Sequence, residues 1–501
     1  MSDQIKLDQM IPSLMFQGTG SDVGKSLLVA GICRAMTRRG IVVRPFKPQN
    51  MSNNAAVTSD GGEIGRAQAL QARACGVKPS VHMNPVLLKP QSDMGSQVVV
   101  QGQVMTTAKA RDYYTLKSQL LPKVLESFVK LSKEADIVLV EGAGSPAEVN
   151  LRAADIANMG FAEAANVPVI LVSDIDRGGV IASIVGTYNL LSDHEKHLLK
   201  GYIINKFRGD VTLFETGHDI IRDHTNLPTF GTLTWFDEAR KLPAEDAVAL
   251  EKAGTGKAEA KDKLIKIAVP RLGRIANFDD LDPLQAEPDV QVVLVQAGEP
   301  IPGDVDLIIL PGSKTTMPDL KALREQGWDI DIQAHLRRGG HVLGICAGFQ
   351  MLGTKLADPQ GIEGPAGEVD GLGLIDMSTT MSGDKRLVEI SGVESSTGKT
   401  VYGYEMHMGR SEGKGLASPM LTLEGHPDGA VSQDGRIMGC YLHGLFASDS
   451  FRNEYLRRFR AGREASIDYE QMVDAVLDRF ADHCEAQMDI SAMIEMAKSG
   501  V

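Results

Sequence analysis

Residues with the types and spacing of a phosphate-binding loop stand near the start of the chain, in the segment FQGTGSDVGKS at 16–26. A Gly-rich turn between a strand and a helix offers backbone N–H groups and a helix N-terminus to an anion. Lys25 would reach the outer phosphates of ATP, and the hydroxyl of Ser26 would ligate Mg²⁺. Five residues separate Gly18 from Gly24 where the common motif has four, so the motif alone leaves open a turn that binds nothing.

A thiol forms the second candidate site, in HVLGICAGFQML, where Cys346 stands between a buried strand and a helix in the pattern G-x-C-x-G. A nucleophile on such an elbow is held exposed, and its neighbours must be small for the chain to turn. The N–H of Ala347 would supply one oxyanion donor, and PGSK after DLIIL offers those of Gly312 and Ser313. Far downstream, GCYLHGLF puts His443 at another strand end, where it would be the general base for the thiol.

A purely structural interpretation of these residues is available, since a lone Cys at the end of an apolar strand is usually a small buried residue. A lone His is likewise more often structural. Four features occur in order, however: the PG loop, the elbow, Gln350 after it and the distal His443. Their order favours a nucleophilic site over coincidence.

Both sites need elements to hold them, and short apolar runs alternate with amphipathic stretches on either side of a charged, Ala- and Gly-rich joint. This alternation predicts parallel sheets with helices on both faces, so we expect an α/β protein of two doubly wound domains. The predicted strands are SLMFQ, IVVRPFK, DIVLVEG, VPVILVSD and GYIINKF in the first half, and IKIAVP, DVQVVLVQAG, VDLIILPG and HVLGIC in the second. The predicted divisions are a first domain at 1–242, a linker at 243–263, a second domain at 264–450 and a helical C-terminal extension at 451–501.

Composition and charge exclude several classes of function. The 501 residues carry a formal net charge of −13, which argues against a nucleic-acid-binding surface. No apolar stretch approaches the length of a bilayer span, and the polar start lacks the basic region and apolar core of a signal peptide. Five scattered cysteines without metal-type pairing suit a reducing compartment. We therefore expect a cytoplasmic protein with neither nucleic acid nor membrane as partner.

The loop with one extra residue resembles that of dethiobiotin synthetase-like proteins. VEGAG at 140–144 resembles their second signature, in which an acidic residue at a strand end helps to hold Mg²⁺, and this implies that role for Glu141. The family sets an Asn against the adenine edge, which implies a role for Asn205, although a lone Asn after a strand is commonly a turn former. The resemblance implies ATP and Mg²⁺ as cofactors, with the nucleotide on Gly18, Thr19, Gly20, Ser21, Asp22, Val23, Gly24, Lys25, Ser26 and Asn205.

The second half resembles the glutaminase domain of the class I, or triad, amidotransferases. In that family Cys attacks the amide of glutamine and ammonia leaves for a second site, which implies Cys346 and His443 as the catalytic pair. The resemblance also implies that Gly312, Ser313, Ala347 and Gln350 bind the oxyanion and glutamine. The family usually has Glu two residues beyond the His, and here that position is Leu445. Either an acid from elsewhere orients His443, with Glu405 one of many candidates, or the site is a Cys–His dyad.

An ATP site and a glutaminase in one chain together imply ATP-dependent amidation of a carboxylate. Further segments resemble the cobyric acid synthase family. The departure at Leu445 also occurs in that family. The similar segments are FKPQNMSNN at 46–54, GGEIGRAQALQA at 61–72, NPVLLKP at 84–90, EVNLRAADIANMG at 148–160, SDIDRGGV at 173–180, RIANFDDLDPL at 274–284 and GYEMHMG at 403–409. The resemblance implies amidation of the b, d, e and g carboxylates of adenosylcobyrinic acid a,c-diamide. Its partners would then be that corrinoid, glutamine and ATP.

A corrinoid with several carboxylates needs cationic and amide donors that position one acid at a time. The donors expected near it are Lys47, Gln49, Asn50, Asn53 and Lys89, although Asn and Gln in such loops often satisfy backbone groups instead. Asp155 would position either Mg²⁺ or the acceptor, and the sequence does not separate the two. His407 is interpreted as structural.

Three rival functions follow from the same features. Cobyrinic acid a,c-diamide synthase shares both domain types, and KPQNM favours the first interpretation over it. A partition-type ATPase switch has a similar phosphate loop but lacks a glutaminase half, so Cys346 and His443 count against it. A synthetase that uses free ammonia beside a degenerate glutaminase is favoured only by Leu445.

Overall fold

The computed structural model of the chain describes residues 11–90, 95–243, 264–383, 386–464 and 467–501. The chain divides into two compact units. The first holds the chain up to Ser52, Thr58–Pro243 and Val473–Val501, and the second holds Asn53–Val57 and Ala244–Met472. Residues 244–263 of the predicted linker lie outside the described residues.

Strands and helices of the described residues are numbered here in chain order. The strands are β1 Ser13–Gly18, β2 Val43–Phe46, β3 Gln49–Met51, β4 Ala55–Val57, β5 Glu63–Gly65, β6 Val86–Pro90, β7 Gly95–Val100, β8 Gln103–Lys109, β9 Ile137–Glu141, β10 Val169–Asp174, β11 Leu199–Phe207, β12 Thr229–Thr234, β13 Ile265–Pro270, β14 Val290–Val295, β15 Leu307–Leu310, β16 His341–Ile345, β17 Lys355–Asp358, β18 Gly367–Asp370, β19 Ser378–Thr380, β20 Arg386–Glu394, β21 Thr400–His407, β22 Arg410–Glu412, β23 Leu421–Leu423, β24 His426–Asp428, β25 Ala430–Val431, β26 Ile437–Cys440 and β27 Leu442–His443. The α-helices are α1 Lys25–Arg38, α2 Arg66–Ala74, α3 Ala110–Ser132, α4 Met159–Ala165, α5 Val180–Leu190, α6 Asp193–Leu198, α7 Glu215–Thr225, α8 Asp282–Ala286, α9 Thr316–Glu325, α10 Trp328–Arg337, α11 Ala347–Met351, α12 Asp449–Arg457, α13 Tyr469–Gln487 and α14 Ile490–Ser499.

The first unit is built on a parallel sheet of six strands in the order β12-β11-β10-β1-β9-β2. β1, β9 and β10 are buried along their whole length, which explains their unbroken apolar sequences. Carboxyl ends of parallel strands share one edge of the sheet. The loop after β1, Glu141 of β9 and Asp174 of β10 therefore lie at the same edge. A smaller sheet, β3-β6-β7-β8, is inserted between β2 and β9.

The second unit has its own sheet of six strands in the order β14-β13-β15-β16-β26-β25, parallel except for β25. Between α11 and β26 the chain forms two further sheets, β24-β23-β20-β21 and β18-β17-β19-β22, and β27 joins the first of them. Each unit encloses a separate cluster of buried apolar side chains. The prediction of two α/β domains with parallel sheets is confirmed.

The C-terminal segment Val473–Val501 packs with the first unit. Arg73 makes two hydrogen bonds of 2.9 and 3.0 Å to Asp474, on α13. A Cβ at Gly31 of α1 would lie 2.7 Å from Sγ of Cys484 and 2.7 Å from the ring of Phe480. The small residue on α1 therefore lets α13 pack directly on α1.

The helices of the described residues were also compared with the thickness of a bilayer. None of them combines the length and the apolar character needed to cross a membrane.

Candidate active sites

The loop after β1 closes around the ammonium of Lys25. Its Nζ donates to the carbonyl of Gly20 at 3.3 Å and to that of Gly144 at 3.1 Å. A Cβ at Gly18 would lie 2.5 Å from that Nζ, and Gly24 has φ +89°, so both positions require glycine. The loop holds a cation among backbone groups beside a helix N-terminus, as a phosphate-binding loop must.

The rest of the loop is tied to the strands beside β1. The hydroxyl of Thr19 lies 2.7 Å from that of Ser173 on β10. The buried Val23 accepts a hydrogen bond of 2.8 Å at its carbonyl from Nδ2 of Asn205. The Asn205 amide thus fixes the loop backbone, and its contact with an adenine edge stays a prediction. The two exposed loop residues are Ser21 and Asp22.

Glu141 is the centre of a buried polar cluster at the end of β9. Its Oε1 accepts from the hydroxyl of Ser26 at 2.7 Å and lies 2.9 Å from Nζ of Lys47. Its Oε2 accepts from Nε2 of Gln71 at 2.7 Å, and Nε2 of Gln68 lies 3.5 Å away. Hydroxyl and carboxylate oxygens are donors that suit Mg²⁺, which usually keeps water and phosphate oxygens as its other ligands.

Asp155 is engaged by the backbone around it. Its Oδ1 accepts from the N–H groups of Ala157 and Asn158 at 2.8 and 3.0 Å, and its Oδ2 accepts from that of Gly160 at 3.0 Å. The guanidinium of Arg152 lies 3.1 Å from Oδ2. The carboxylate organises the turn before α4, and a role with metal or acceptor stays a prediction.

Cys346 lies on the tight turn between β16 and α11, with φ 53° and ψ −109°, which residues with a side chain rarely adopt. A Cβ at Gly348 would lie 2.0 Å from the carbonyl oxygen of Leu310, and one at Gly344 would lie 2.6 Å from that of Gly348. The elbow therefore needs small residues on both sides, as the sequence indicates. The thiol is buried and donates to the carbonyl of Met406 at 3.6 Å.

His443 lies at the end of β27 in hydrogen-bonding contact with Cys346. Its Nδ1 lies 2.7 Å from Oδ2 of Asp280, whose Oδ1 accepts from the N–H of Gly444 at 2.6 Å. Burial alone would lower the pKa of His443, but the charges of Asp280 and Cys346 outweigh burial and raise the pKa to about 10. The imidazole is therefore protonated at neutral pH.

The residues expected to bind the oxyanion lie next to this pair. A Cβ at Gly312 would lie 2.9 Å from Cε1 of His443, so the loop after β15 packs against the imidazole. Ala347 is the first residue of α11, directly after the thiol. The hydroxyl of Ser313 donates to Asp319 at 2.6 Å. Gly312 and Ala347 thus lie beside the imidazole and the thiol, and the donors themselves stay predictions.

Gln350 is held one turn beyond the elbow. Its Nε2 donates to the carbonyl of Met408 at 3.0 Å, and its Oε1 accepts from the hydroxyl of Thr316 at 3.2 Å. The ring of Tyr441 lies near it and stacks on His407, with centroids 3.9 Å apart. Burial, together with neighbouring positive charge, lowers the pKa of His407 to about 4, so this histidine is neutral at pH 7.

Comparison with known proteins connects the two sites. Residues 14–250 match the CobQ/CobB/MinD/ParA nucleotide binding domain, and residues 266–451 match the CobB/CobQ-like glutamine amidotransferase domain. The cobyric acid synthase of Rhodobacter capsulatus is 59% identical over 97% of this chain and 100% of the relative. Those of Methylorubrum populi and a Jannaschia species are 58% and 56% identical, over 98% and 97% of this chain and all of each relative. The chain belongs to the cobyric acid synthase family.

Two of the corrinoid donors that resemblance to the cobyric acid synthase family implies adjoin the Glu141 cluster. Lys47 pairs with Glu141 itself, with both side chains less than a tenth exposed. Asn50 donates from Nδ2 to Oε1 of Gln68 at 3.0 Å, and Gln68 reaches Glu141. These two side chains therefore lie beside the carboxylate at the end of β9, and their contact with a corrinoid stays a prediction.

The other three donors are distributed over both units. Nζ of Lys89 lies 2.7 Å from Oε2 of Glu63 in a buried ion pair. Oε1 of Gln49 accepts from the hydroxyl of Tyr113 at 2.8 Å. Asn53 belongs to the second unit. A corrinoid contact for each of them stays a prediction.

Asp280 is the functional residue that the sequence did not single out. It lies on the 3-10 helix Phe278–Leu281, within the segment RIANFDDLDPL. Glu405, a candidate for the same role, is paired with Arg386. Leu445 left open whether an acid would come from elsewhere, and nothing local marks one carboxylate among 65 acidic residues. The structure supports an acid from elsewhere rather than a Cys–His dyad.

Gln68 and Gln71 were also missed as site residues. They lie one helical turn apart on α2 and donate toward Glu141. Their spacing of three residues on a helix is a signal that both point to one face. The segment GGEIGRAQALQA carries them, but the sequence does not show which strand end that face meets.

Proposed function

We propose that this chain converts adenosylcobyrinic acid a,c-diamide to adenosylcobyric acid by amidating its b, d, e and g carboxylates, with ammonia from glutamine and energy from ATP. Identity of 59% to a cobyric acid synthase along 97% of the chain carries the proposal. Both halves of the reaction have a matching site, since a nucleotide-type loop and a Cys–His–Asp cluster occur in one polypeptide.

Glutamine hydrolysis uses the second unit. The proton shared by Cys346 and His443 lies on the imidazole, so the sulfur of Cys346 attacks the amide carbon of glutamine as a thiolate, and His443 donates its proton to the departing nitrogen. Ammonia leaves and a glutamyl thioester remains. Water, deprotonated by the now neutral His443, hydrolyses the thioester to glutamate. Asp280 holds the ring and stabilises its charge through Nδ1.

Carboxylate activation uses the first unit. A carboxylate oxygen of the corrinoid attacks the γ-phosphorus of ATP, the bond to ADP breaks, and an acyl phosphate forms. Ammonia then displaces phosphate to leave the amide. Lys25 holds the outer phosphates, and Lys47, 2.9 Å from Glu141, lies where it would neutralise the transferring group. Ser26 and Glu141 would hold Mg²⁺, which would supply positive charge to the phosphates.

Location in the cytoplasm belongs to the same proposal. All five cysteines are free thiols, as expected in a reducing compartment. Fractionation of cells that express the full chain, followed by detection with an antibody, tests this, and recovery in the membrane pellet would contradict it.

A time course of corrinoid masses tests the proposed reaction. The full chain is incubated with adenosylcobyrinic acid a,c-diamide, glutamine and Mg-ATP, and four successive carboxyl-to-amide mass changes are expected. Amidation of cobyrinic acid at only two positions would instead support the a,c-diamide synthase. Absence of glutamate with every substrate present would favour the ATPase switch.

The source of nitrogen is tested with Cys346→Ala. The variant is expected to lose glutamine-dependent amidation and to keep amidation from added ammonium, because only the thioester step needs the thiol. Retention of glutamine-dependent amidation would overturn the assignment of the nucleophile. Cys440→Ala, on the neighbouring β26, is the matched control and should keep both activities.

A further inference from the structure

Arg177 lies beside the phosphate-type loop without a role in the reaction as described. It belongs to the loop that follows β10, the strand adjacent to β1. One of its terminal nitrogens, Nη2, lies 3.3 Å from Oδ2 of Asp22, inside the segment GTGSDVGKS, and its Nε lies 3.8 Å from Asp174. The side chains of Arg177 and Asp22 are 60% and 49% exposed.

The Asp22 carboxylate lies within this loop and repels the phosphate that the loop is proposed to bind. Exposed ion pairs contribute little to stability, so Arg177 loses little when it leaves Asp22. A guanidinium binds phosphate through two parallel hydrogen bonds. The pair of Arg177 with Asp22 has a single contact of 3.3 Å and does not use this geometry. Arg177 therefore gains by exchanging the carboxylate for a phosphate.

Two other cations lie near Arg177, Lys206 at the phosphate-type loop and Arg208 at the loop that follows β10, and each is fixed by further contacts. Nζ of Lys206 lies 2.9 Å from Asp174, which is buried. The guanidinium of Arg208 lies 3.6 Å from the ring centroid of Trp235 and pairs with Asp176 at 2.7 Å. Arg177 has the weaker and more exposed contacts of the three. It is followed by Gly178 and Gly179, with φ +78° and +73° and open space around each, so neither neighbour blocks a change of direction.

We propose that Arg177 exchanges Asp22 for the γ-phosphate of ATP and holds that group while it passes to the acceptor carboxylate. This inference rests on the proposed use of ATP. As the bond from the γ-phosphorus to ADP breaks and the bond to the carboxylate oxygen forms, the guanidinium neutralises charge on the non-bridging oxygens. Asp22 then acts as the resting partner that keeps Arg177 at the loop when no nucleotide is bound.

Nucleotide titrations of the full chain test the exchange without any corrinoid. Binding of Mg-AMPPNP and Mg-ADP is measured by calorimetry for the wild type, Arg177→Ala, Arg177→Lys and Asp22→Asn. Arg177→Ala should weaken AMPPNP binding about 10- to 100-fold, the effect of losing a charge-assisted contact, and change ADP binding less than about twofold. Arg177→Lys should recover part of the loss. Arg222→Ala, an equally exposed arginine on α7, is the matched control and should bind both nucleotides normally.

The double variant Asp22→Asn/Arg177→Ala separates contact with phosphate from mere neutralisation of Asp22. If Arg177 holds the γ-phosphate, removing it still weakens AMPPNP binding about tenfold or more when Asp22 is already Asn. Equal AMPPNP affinity of the single Asp22→Asn variant and the double variant would overturn the proposal, as would equal losses for ADP and AMPPNP. Failure of the wild type to bind either nucleotide would overturn the proposed use of ATP and this inference with it.

Discussion

At the scale of single residues, the main feature of the second unit is a buried histidine, His443, that carries a positive charge at neutral pH. Burial disfavours the imidazolium of His443, yet the carboxylate of Asp280 at 2.7 Å keeps the proton on the ring at neutral pH. Asp280 is itself fixed by the N–H of Gly444. The histidine proposed as proton donor to glutamine thus already carries its proton beside the sulfur of Cys346.

Asp280→Asn should therefore change both the rate and the pH dependence of glutamine hydrolysis. Without the carboxylate, burial still lowers the pKa of His443 and only Cys346 still raises it, so the pKa falls below about 10. The wild-type rate should fall only as pH rises through about 10, where His443 loses its proton, whereas the variant's alkaline fall should begin at a lower pH. The maximal rate should drop about 10²- to 10⁴-fold. An unchanged alkaline limb in a glutaminase pH profile would contradict the role of Asp280. Asp279→Asn, on the same 3-10 helix, is the control.

Glu141→Gln tests the first unit at the same scale. The amide keeps the shape of the side chain but removes the charge that Ser26 and Lys47 face. We expect ATP-dependent amidation to fall at least about 10²-fold, because the charge proposed to hold Mg²⁺ is lost. Glutamate formation should stay within about twofold of the wild type when glutaminase is measured alone. A matched variant, Glu238→Gln, alters a partly exposed carboxylate of the same unit that pairs with Arg479, and it should leave both rates unchanged. Equal amidation rates in both variants would contradict the proposed role of Glu141 at the ATP site.

At the scale of elements, backbone packing explains why the elbow carries Gly-x-Cys-x-Gly. Gly348→Ala would push a Cβ to 2.0 Å from the carbonyl oxygen of Leu310, so β15 and α11 must separate. We expect a loss of about 3 kcal/mol in the free energy of unfolding, measured by urea denaturation of the second unit's transition. Gly367→Ala, which meets no atom within 4 Å, should change the stability by less than about 0.5 kcal/mol. Similar stabilities for both variants would contradict the packing argument.

Elements with a strong local period could be predicted from the sequence, and those fixed by distant contacts could not. The loop before Lys25, the elbow at Cys346 and the strands that hold them follow from unbroken apolar runs that end in glycine. The strands of three or four residues between α11 and β26 alternate too briefly to be distinguished from loops; these are β17, β18, β19, β22, β23 and β24. Asp280 meets His443 across 163 positions, and no local pattern encodes that meeting.

At the scale of the whole molecule, the chain builds two separate cores and then returns to the first unit. The segment Val473–Val501 begins inside α13. The helical pattern of the C-terminal extension therefore does not show at which residue the chain passes from the second unit to the first. Side-chain contacts hold the segment on the first unit, since Arg73 pairs with Asp474 and Arg34 with Asp478 at 2.8 Å. The N-terminal and C-terminal parts of the sequence thus stabilise the same unit.

Phe480→Ala tests whether this return stabilises the unit that carries the phosphate-type loop. Phe480 is 2% exposed, lies against Gly31 of α1 and its ring centroid is 5.0 Å from that of Phe236. Its truncation should cost about 3–5 kcal/mol. In scanning calorimetry, the transition whose midpoint temperature rises with Mg-AMPPNP belongs to the nucleotide-binding unit, because a ligand that binds the folded state stabilises it. That transition should fall in temperature in Phe480→Ala and not in Lys498→Ala, an exposed change on α14. If instead both variants left it in place, the C-terminal segment would lie on the first unit without stabilising it, and the unit would have to draw its stability from residues before Pro243 alone.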